Sequence, residues 1–430
     1  MNGALKVGVA GLGTVGAGTV RLIEQQARLL SARAGRDIRV TAVAARDHSR
    51  RRDVAIDSYT WHDDARALAT SNDVDVVVEL IGGADGVAKQ VVDAAIAHGK
   101  HVVTANKALI AHHGTALARA AEKAGVQLGF EAAVAGGIPI VKALREGLVA
   151  NRITRVYGIL NGTCNYILTN MKESGRPFAE VLAEAQKLGY AEADPAFDVD
   201  GIDAAHKLAI LTSLAFGCEV NFGAVHIEGI RDISPLDIRF AEELGYTIKL
   251  LGIARLTDHG IEQRVHPCMV RAHLPIAHVN GVFNAVVADG DFVDTTLYQG
   301  RGAGAGPTAS AVVADLVDVA RGHRVPTFNV PAGALTNQPA APMTLHRGAY
   351  YVRLMVLDRP GVFAEIAGAL RDHSVSMESI LQHGRAPGEK VPVVLTTHET
   401  EEAAMRATLA TIQRSEAVVE PPRMIRIEAF

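Results

Sequence analysis

The stretch Leu5-Lys-Val-Gly-Val-Ala-Gly-Leu-Gly-Thr-Val-Gly16 decides the fold of the N-terminal part of the chain. An apolar run that ends at glycines predicts a strand over Leu5–Ala10, and the apolar period of the residues that follow predicts a helix over Thr14–Leu30. Glycines spaced as Gly11-x-Gly13-x-x-Gly16 between a strand and a helix are typical of a turn that binds a dinucleotide. The first glycine permits the tight turn, the second admits a pyrophosphate, and the third lets the helix pack closely.

The residues around this turn also bear on the choice of nucleotide. The first helical residues, Thr14 and Val15, offer free N–H groups and a partial positive charge to phosphates. The second predicted strand, 38–45, is followed by Arg46. NAD-binding folds usually have at this point an acid that holds the ribose hydroxyls. Because Arg46 is suited to a 2′-phosphate, we expect NADP(H) to be preferred, with NAD(H) possible through the neighbouring Asp47.

Strand and helix patterns divide the chain into three parts, all of the α/β class. Residues 1–135 alternate short strands with helices, which predicts a Rossmann-type, doubly wound parallel sheet. Residues 136–335 mix helices with long strands and predict an α+β domain with an open sheet, whose late helix at about 307–325 should return to the first domain. Prolines mark a linker at 336–349. Residues 350–430 follow the order βαββαβ of a ferredoxin-like domain.

Composition excludes several classes of protein. The chain has 430 residues, is 48% hydrophobic and carries a net charge of −4, which fits a compact globular protein with a large core. The largest basic run, Arg50-Arg51-Arg52, is too short to suggest nucleic acid, and no apolar run approaches the length of a membrane helix. The three distant cysteines, Cys164, Cys218 and Cys268, indicate reduced thiols in a cytoplasmic protein.

A cluster of acids precedes a lysine in the segment Gly189-Tyr-Ala-Glu-Ala-Asp-Pro-Ala-Phe-Asp-Val-Asp-Gly-Ile-Asp-Ala-Ala-His-Lys207. Asp203 and Lys207 are four residues apart at the start of a predicted helix and therefore share a face. A lysine that enters an acid-lined pocket from a rigid helix has the geometry of a general acid, and the acids could hold an amine. The alternative is a solvated charge run with a surface ion pair.

This segment resembles the substrate loop and catalytic helix of the homoserine dehydrogenase family. Four further segments resemble the same family in the same order: Gly-Leu-Gly-Thr-Val-Gly (11–16), Thr-Ala-Asn-Lys-Ala (104–108), Asn-Gly-Thr-Cys-Asn-Tyr-Ile (161–167) and Gly-Ala-Gly-Ala-Gly-Pro-Thr-Ala-Ser-Ala-Val (302–312). The resemblance covers residues 5 to 335 and implies that residues 136–335 form the substrate-binding, catalytic and dimerisation domain. It implies NAD(P)H-dependent reduction of L-aspartate 4-semialdehyde to L-homoserine in threonine, methionine and isoleucine biosynthesis.

The resemblance also implies roles for individual residues. Lys207 is expected to give and take the proton, Lys107 to lie beside the nicotinamide and substrate, and Asp203 to position the lysine or a water. The expected substrate-binding residues are Glu192, which meets the amino group, with Asp198, Thr163 and Tyr190. Thr104, Lys107 and Gly304 are expected to contact the cofactor. Phe197 stands where some members of the family have a second Asp, so one substrate contact is absent or supplied differently.

Two further sites are implied by resemblance. The turn that follows the sixth predicted strand resembles one that binds a monovalent cation, Na⁺ or K⁺, through the backbone carbonyls of Glu131, Val134, Gly136 and Ile138. An ordinary glycine-rich turn is the alternative.

The segment Leu357-Asp-Arg-Pro-Gly-Val-Phe363 resembles the first turn of ACT regulatory domains, which commonly bind amino acids. Gly361 begins a predicted helix whose N–H groups suit a carboxylate, and Asp358 suits an ammonium group. We therefore expect a separately folded unit that senses L-threonine. A docking module without a ligand is the alternative.

Three functions remain in competition at this stage. The first is a monofunctional homoserine dehydrogenase, since the nucleotide-binding pattern begins at residue 5, and it is expected to form a homodimer or homotetramer. The second is a dehydrogenase for another amino-acid semialdehyde. The third is a catalytically silent amino-acid sensor, against which the intact set Lys107, Glu192, Asp203 and Lys207 argues.

Overall fold

The computed structural model describes residues 3–383 and 388–430. Its N-terminal unit is a parallel sheet covered by helices, with strands in the order β3-β2-β1-β4-β5-β6. This is the strand order of a dinucleotide-binding fold, and the doubly wound parallel sheet is confirmed. Its elements are β1 (Leu5–Ala10), α1 (Thr14–Gln25), α2 (Ala27–Ala34), β2 (Ile38–Ala44), β3 (Thr60–His62), α3 (Ala65–Thr70), β4 (Val76–Glu79), α4 (Val87–Ala97), β5 (His101–Thr104), α5 (Lys107–Ala124) and β6 (Leu128–Gly129).

The second unit is a mixed sheet with helices on it. Its elements are α6 (Ile140–Lys142), which continues into a π-helical turn (Ala143–Gly147), β7 (Ile153–Ile159), α7 (Gly162–Ser174), α8 (Phe178–Lys187), α9 (Ala196–Val199), α10 (Ile202–Phe216), β8 (His226–Ile227), α11 (Pro235–Glu243), β9 (Tyr246–Thr257), β10 (Gly260–Arg271), β11 (Phe283–Gly290), β12 (Asp294–Arg301) and α12 (Ala305–Arg321). Helix α12 returns to the N-terminal unit and packs against α1. A Cβ at Gly18 of α1 would lie only 3.1 Å from the carbonyl oxygen of Ala305.

The C-terminal unit has the predicted ferredoxin-like order. Its elements are β13 (Arg347–Leu357), α13 (Val362–Asp372), β14 (Met377–Gln382), β15 (Lys390–Thr397), β16 (Thr400–Glu401), α14 (Glu402–Ile412) and β17 (Arg423–Glu428). The four long strands lie in the order β17-β13-β15-β14. Tyr350, Leu354 and Leu395 are among the buried side chains of its core.

The C-terminal unit shares one sheet with the second unit. Strand β17 pairs antiparallel with β13 on one side and parallel with β10 on the other, where Cys268 faces Arg426. The combined sheet runs β12-β11-β7-β9-β10-β17-β13-β15-β14. The sequence pattern did not predict this junction, because pairing between strands so far apart in the chain leaves no local periodicity.

Local differences from the sequence predictions have simple causes. The helix predicted over Thr14–Leu30 is divided into α1 and α2 at Gln26. The short elements β3 and α3 were not predicted, since three or six residues give too little periodicity. Helix α5 begins at Lys107, where the Asn106 side chain caps it by accepting from the N–H of Leu109 at 3.1 Å.

Candidate active site

The glycine turn is built to receive a phosphate group. Gly11 has φ 101°, and a Cβ there would lie 2.6 Å from the carbonyl oxygen of Leu80. A Cβ on Gly16 would lie 2.0 Å from the carbonyl oxygen of Gly11, so only glycine lets α1 approach the turn. A Cβ on Gly13 would meet no atom within 4 Å, which leaves open space beside the N-terminus of α1. The turn therefore fits a dinucleotide pyrophosphate at the point where β1 neighbours both β2 and β4.

A buried carboxylate joins the ends of β4 and β5 near this turn. Glu79 is fully buried, and one of its oxygens accepts a hydrogen bond from the Thr104 hydroxyl at 2.7 Å. The other oxygen accepts from the N–H groups of Ile81 (2.7 Å) and Gly82 (3.1 Å). The Thr104 hydroxyl oxygen in turn accepts from the N–H of Asn106 at 2.9 Å. This network holds the segment that leads into Lys107.

Two lysines from different units meet on one buried carboxylate. Asp203, on the first turn of α10, is 4% exposed. Its Oδ2 accepts a hydrogen bond from Lys207 Nζ at 2.7 Å, and its Oδ1 lies 3.1 Å from Lys107 Nζ. The structure therefore brings the three predicted catalytic residues into direct contact, although Lys107 and Asp203 lie almost one hundred positions apart.

Asn161 links a second acid to this cluster. Its side-chain NH₂ donates to Asp198 Oδ1 at 2.8 Å and to Asp203 Oδ2 at 2.9 Å. Its side-chain oxygen accepts from the N–H of Cys164 at 2.8 Å and caps α7. Both N–H donors of the amide are used on the two acids, so Asn161 fixes the two carboxylates relative to each other.

The charges of the cluster shift the pKa values of its two acids in opposite directions. Burial alone would raise the pKa of Asp203, but Lys207 and Lys107 outweigh it and hold the pKa well below its usual range. Burial, followed by the negative charge of Asp203, raises the pKa of Asp198. Asp203 is thus a permanent anion at neutral pH, and it keeps two cations side by side.

Lys207 retains one donor for a ligand. Its ammonium group has three N–H donors. One donates to Asp203 and a second to the carbonyl oxygen of Leu160, both at 2.7 Å, and the third has no acceptor among the described residues. The side chain is only 10% exposed, so its position is fixed by packing. Such a cation can stabilise an oxyanion and then protonate it.

The remaining residues predicted to contact substrate make fewer contacts. Glu192 is exposed, and its carboxylate makes no hydrogen bond or ion pair with the described residues. The Thr163 hydroxyl donates to the carbonyl oxygen of Tyr190 at 2.7 Å, and the Tyr190 ring lies against Tyr166. Phe197 places its ring 5.5 Å from Lys107 Nζ, a cation–π contact in place of a carboxylate contact.

The predicted cofactor residues outside the glycine turn lie at two helix or strand ends. Arg46 is exposed and comes two residues after the end of β2. Gly304 is the N-cap of α12 with φ 122°, a conformation that favours glycine. The Arg46 guanidinium makes no hydrogen bond or ion pair with any residue that the structure describes.

The turn after β6 contains the four residues proposed from resemblance to hold a cation. The carbonyl oxygens of Val134 and Gly136 accept no hydrogen bond from the described residues, although both residues are buried. The carbonyl of Ile138 accepts from the N–H of Ile140 at 2.8 Å. The Glu131 carbonyl accepts only a long bond, 3.5 Å from the N–H of Val134. Buried carbonyls without donors fit a monovalent cation.

The side chain of Glu131 has a separate structural task. Its two oxygens accept from the N–H groups of Val141 at 2.9 Å and Lys142 at 2.8 Å at the start of α6. Burial and the neighbouring Asp315 raise the pKa of Glu131 to about 7. Only the backbone carbonyl of Glu131 is therefore available to a cation.

The predicted effector turn lies between β13 and α13. Asp358 is half-buried, and its backbone pairs with Glu389 and Gly388. Gly361 is the N-cap of α13 with φ 94°, and a Cβ there would meet no atom within 4 Å. The start of the helix is open to solvent, as a carboxylate site requires.

Sequence reasoning missed three residues of the site. Glu79 was detectable as a lone acid that ends a buried Val-Val-Val-Glu strand. Asn161 belongs to the segment 161–167 that resembles the family, but its local sequence does not indicate that it links two acids. His206 is buried beside Phe222 and Phe197, with Nδ1 lacking a partner among the described residues. Burial lowers the pKa of His206 to about 4, so its ring is neutral.

Comparisons with known proteins agree with this geometry. Residues 11–131 match the model for the NAD-binding domain of homoserine dehydrogenase, residues 139–317 match homoserine dehydrogenase, and residues 350–416 match the ACT domain. The chain is 49% identical to the homoserine dehydrogenase of Pseudomonas aeruginosa and 47% identical to that of Neisseria gonorrhoeae, over 99% of each chain in both cases.

A solved structure extends the agreement to three dimensions. The crystal structure of a homoserine dehydrogenase from Thiobacillus denitrificans is 48% identical and superposes with a TM-score of 0.94, over 100% of this chain and 99% of that one. The oxidoreductase class, the nucleotide-binding domain and the C-terminal ACT domain predicted from the sequence are confirmed. No helix in the described ranges is both long and apolar enough to cross a membrane. The chain belongs to the homoserine dehydrogenase family.

Proposed function

We propose that this enzyme reduces L-aspartate 4-semialdehyde to L-homoserine with NADPH, and that Lys207 provides the proton. The observation that carries the proposal is the pair of lysines on buried Asp203, with one N–H of Lys207 uncommitted. The alternative of a solvated surface ion pair has little support, because Asp203 and Lys207 are both buried.

The chemistry divides between cofactor and protein. When bound, the nicotinamide supplies hydride to the aldehyde carbon, and the carbonyl oxygen gains negative charge. Lys207 stabilises that oxygen through its third N–H and then transfers the proton, directly or through water. Asp203 and the Leu160 carbonyl hold the ammonium in place, while Lys107 adds positive charge on the cofactor side of the site. Asp198 and Glu192 are proposed to hold the amino group of the substrate.

Thr163 and Tyr190 complete the proposed substrate pocket. The hydrogen bond between them ties the N-terminus of α7 to the loop that contains Glu192. Glu192 is exposed without a partner in the described residues, so it is free to form an ion pair with an ammonium group. The amino group therefore has a second acid besides Asp198.

The cofactor is proposed to be NADP(H), with NAD(H) as a weaker alternative. Arg46 stands at the end of β2, where the ribose of a bound dinucleotide lies, and its guanidinium has no partner among the described residues. A planar guanidinium suits a phosphate. The proposed contacts to the rest of the cofactor come from Gly11, Gly13, Gly16, the N–H groups of Thr14 and Val15, and the residues Thr104, Lys107 and Gly304.

A monovalent cation, Na⁺ or K⁺, is proposed at the turn after β6. The buried carbonyls of Val134 and Gly136 support it, because they have no donor in the described part of the chain. Glu131 and Ile138 would complete the ligands through their carbonyls. A cation there would hold the turn that connects the first two units.

The C-terminal unit is proposed to bind L-threonine at the turn of Asp358 and Gly361 and to regulate the enzyme. The ACT match and the open N-terminus of α13 support this. Assembly into a homodimer or homotetramer is also proposed, as is a cytoplasmic location, which the three buried free thiols favour.

The test is NADPH oxidation with L-aspartate 4-semialdehyde, measured beside a panel of other aldehydes that includes the longer glutamate semialdehyde. We expect kcat/KM to be highest for the aspartate derivative. A higher kcat/KM for another amino aldehyde would favour a dehydrogenase that acts on a different amino-acid semialdehyde. Tight nucleotide binding without turnover of any aldehyde would favour a silent sensor.

A further inference from the structure

A buried ion cluster fastens the C-terminal unit to the second unit. Arg426 of β17 is 1% exposed and Glu402 of α14 is fully buried, and their side chains are 2.5 Å apart. The same guanidinium donates to both oxygens of Glu228, at 2.8 and 3.0 Å. Arg406 adds a contact to Glu228 at 3.3 Å. Glu228, which belongs to the second unit, is thus held by two arginines of the C-terminal unit.

The backbone around Glu228 forms the support of the substrate loop. We call residues 227–230 the support segment. The N–H of Ile230 donates to the carbonyl oxygen of Val199 at 2.9 Å. A Cβ on Gly229 would lie 2.3 Å from that same oxygen and 2.6 Å from the Cα of Asp200, so the two backbones are in direct contact. Because of this close backbone packing, the support segment and the loop cannot move independently.

The loop that contacts the support segment contains Asp198, a residue that is proposed to bind the substrate. Helix α9, Ala196–Val199, includes Asp198, whose carboxylate Asn161 holds beside Asp203. Gly201 then begins α10, and a Cβ there would lie 3.2 Å from the Ile227 side chain of the support segment. The start of the helix that contains Lys207 therefore rests on the same support.

We propose that Glu228 is a positioning residue, through which the C-terminal unit sets the place of Asp198 in the substrate site. A shift of β17 has to break two hydrogen bonds from Arg426 or move Glu228 with it. Because the support segment and the loop touch through backbone atoms, movement of Glu228 displaces Val199 and Asp198. The inference rests on the proposed function, since it concerns the substrate affinity of that site.

The route also explains how an event in the C-terminal unit reaches the chemistry. Coupling requires a ligand to favour one arrangement over another, because equal affinity for both shifts nothing. Strand β17 is part of the C-terminal sheet and the neighbour of β10, so a change in that sheet moves Arg426 directly. Substrate affinity is then altered without any contact between the effector and the substrate.

The experiment uses the full chain with Glu228→Gln, which keeps the side-chain shape and removes the charge. KM for the amino aldehyde should rise about 3- to 30-fold, the usual range of coupling between neighbouring residues. We expect kcat to change far less and the Kd for NADPH to stay at its wild-type value.

The matched control is Glu243→Gln. Glu243 accepts from His383 of the C-terminal unit at 2.8 Å on α11, away from the support segment. Its loss removes one contact between the same two units without touching the loop, so KM should not change. An equal rise in both variants would indicate general loosening of the C-terminal unit and would overturn the proposal.

Two further measurements separate positioning from simple stabilisation. In an Asp198→Asn background, Glu228→Gln should add little to KM, because both changes act through Asp198. Hydrogen exchange of the Ile230 amide should be faster in Glu228→Gln than in the control, and this readout needs no activity. If Glu228→Gln unfolds, the more exposed Arg406→Gln should show the same changes with smaller size.

Unchanged KM together with unchanged exchange at Ile230 would overturn the proposal even where the wild-type enzyme is fully active. An inactive wild-type protein would instead refute the proposed function. The two failures are therefore distinguishable.

Discussion

Replacement of Lys207 by methionine tests the group that is proposed to supply the proton. Methionine keeps most of the side-chain volume and removes the three N–H donors of the ammonium group. We expect turnover to fall about 10²- to 10⁴-fold, the usual contribution of a positioned acid or base. That corresponds to about 3–5 kcal/mol of transition-state stabilisation.

The structure predicts that this variant still folds. Asp203 keeps Lys107 at 3.1 Å and Asn161 at 2.9 Å, so its charge is not left alone in the interior. The loss of folding free energy should therefore be smaller than the ~3–5 kcal/mol that follows the removal of a sole buried partner. Far-ultraviolet circular dichroism and thermal unfolding check the fold, and the Kd for NADPH checks the cofactor site.

The assay is the initial rate of NADPH oxidation at saturating aldehyde. Lys187→Met is the matched control, because Lys187 lies exposed at the end of α8 and has no role in the proposed site. A second variant, Lys207→Arg, keeps a cation that does not release its proton near neutral pH. Near-normal turnover of Lys207→Met would remove Lys207 from the mechanism. Near-normal turnover of Lys207→Arg would restrict Lys207 to electrostatic stabilisation.

Three other predictions concern the cofactor, the pH dependence and the effector. The wild-type enzyme should have a higher kcat/KM with NADPH than with NADH, and Arg46→Asp should reduce or reverse that ratio; a wild-type preference for NADH would contradict the role of Arg46. The pKa of His206 is 6.5 in the unfolded chain and about 4 in the folded chain, so the unfolded chain binds the extra proton between these values. This residue therefore lowers the free energy of unfolding by roughly 1–3 kcal/mol as the pH falls from 6.5 to 4. His206→Phe should therefore lose less thermal stability than the wild type between pH 7 and pH 5, and parallel curves would show that the ring is not kept neutral in the fold. L-threonine should inhibit the full chain and should inhibit Asp358→Asn much less, whereas equal inhibition of both would place the effector elsewhere.

Much of the fold follows from local periodicity. Strand β1 has the predicted bounds, and the order of elements in the C-terminal unit is the predicted one. The dinucleotide turn was predictable because each glycine has its own steric reason, and the structure repeats those reasons at Gly11 and Gly16. Segments of two or three residues, such as β3 and β8, were not predictable, because they form only where a longer neighbour offers an edge.

The candidate site was predictable as a set of residues and not as a geometry. The spacing of Asp203 and Lys207 placed them on one helical face, and they are hydrogen-bonded. That Lys107 reaches the same carboxylate depends on how two units pack, which no local pattern contains. Resemblance supplied the functional roles, whereas the link that Asn161 makes between two acids emerged only from its contacts.

The shared sheet changes how the C-terminal unit should be studied. A chain cut near residue 345 would lose β17 and leave one edge of β10 without its partner. It would also leave Arg264 without Glu428, which accepts from it at 2.5 and 3.0 Å, and Glu228 without Arg426. Arg264 is 1% exposed and would keep only Glu262, at 2.7 Å, of its two carboxylate partners, and the removal of a buried partner is destabilising. Lost inhibition in a truncated chain would then report damage to the catalytic unit as much as a missing effector site. Point changes at Asp358 and Glu228 avoid this, because they leave the backbone of the sheet in place and test the proposed effector binding separately from its proposed transmission.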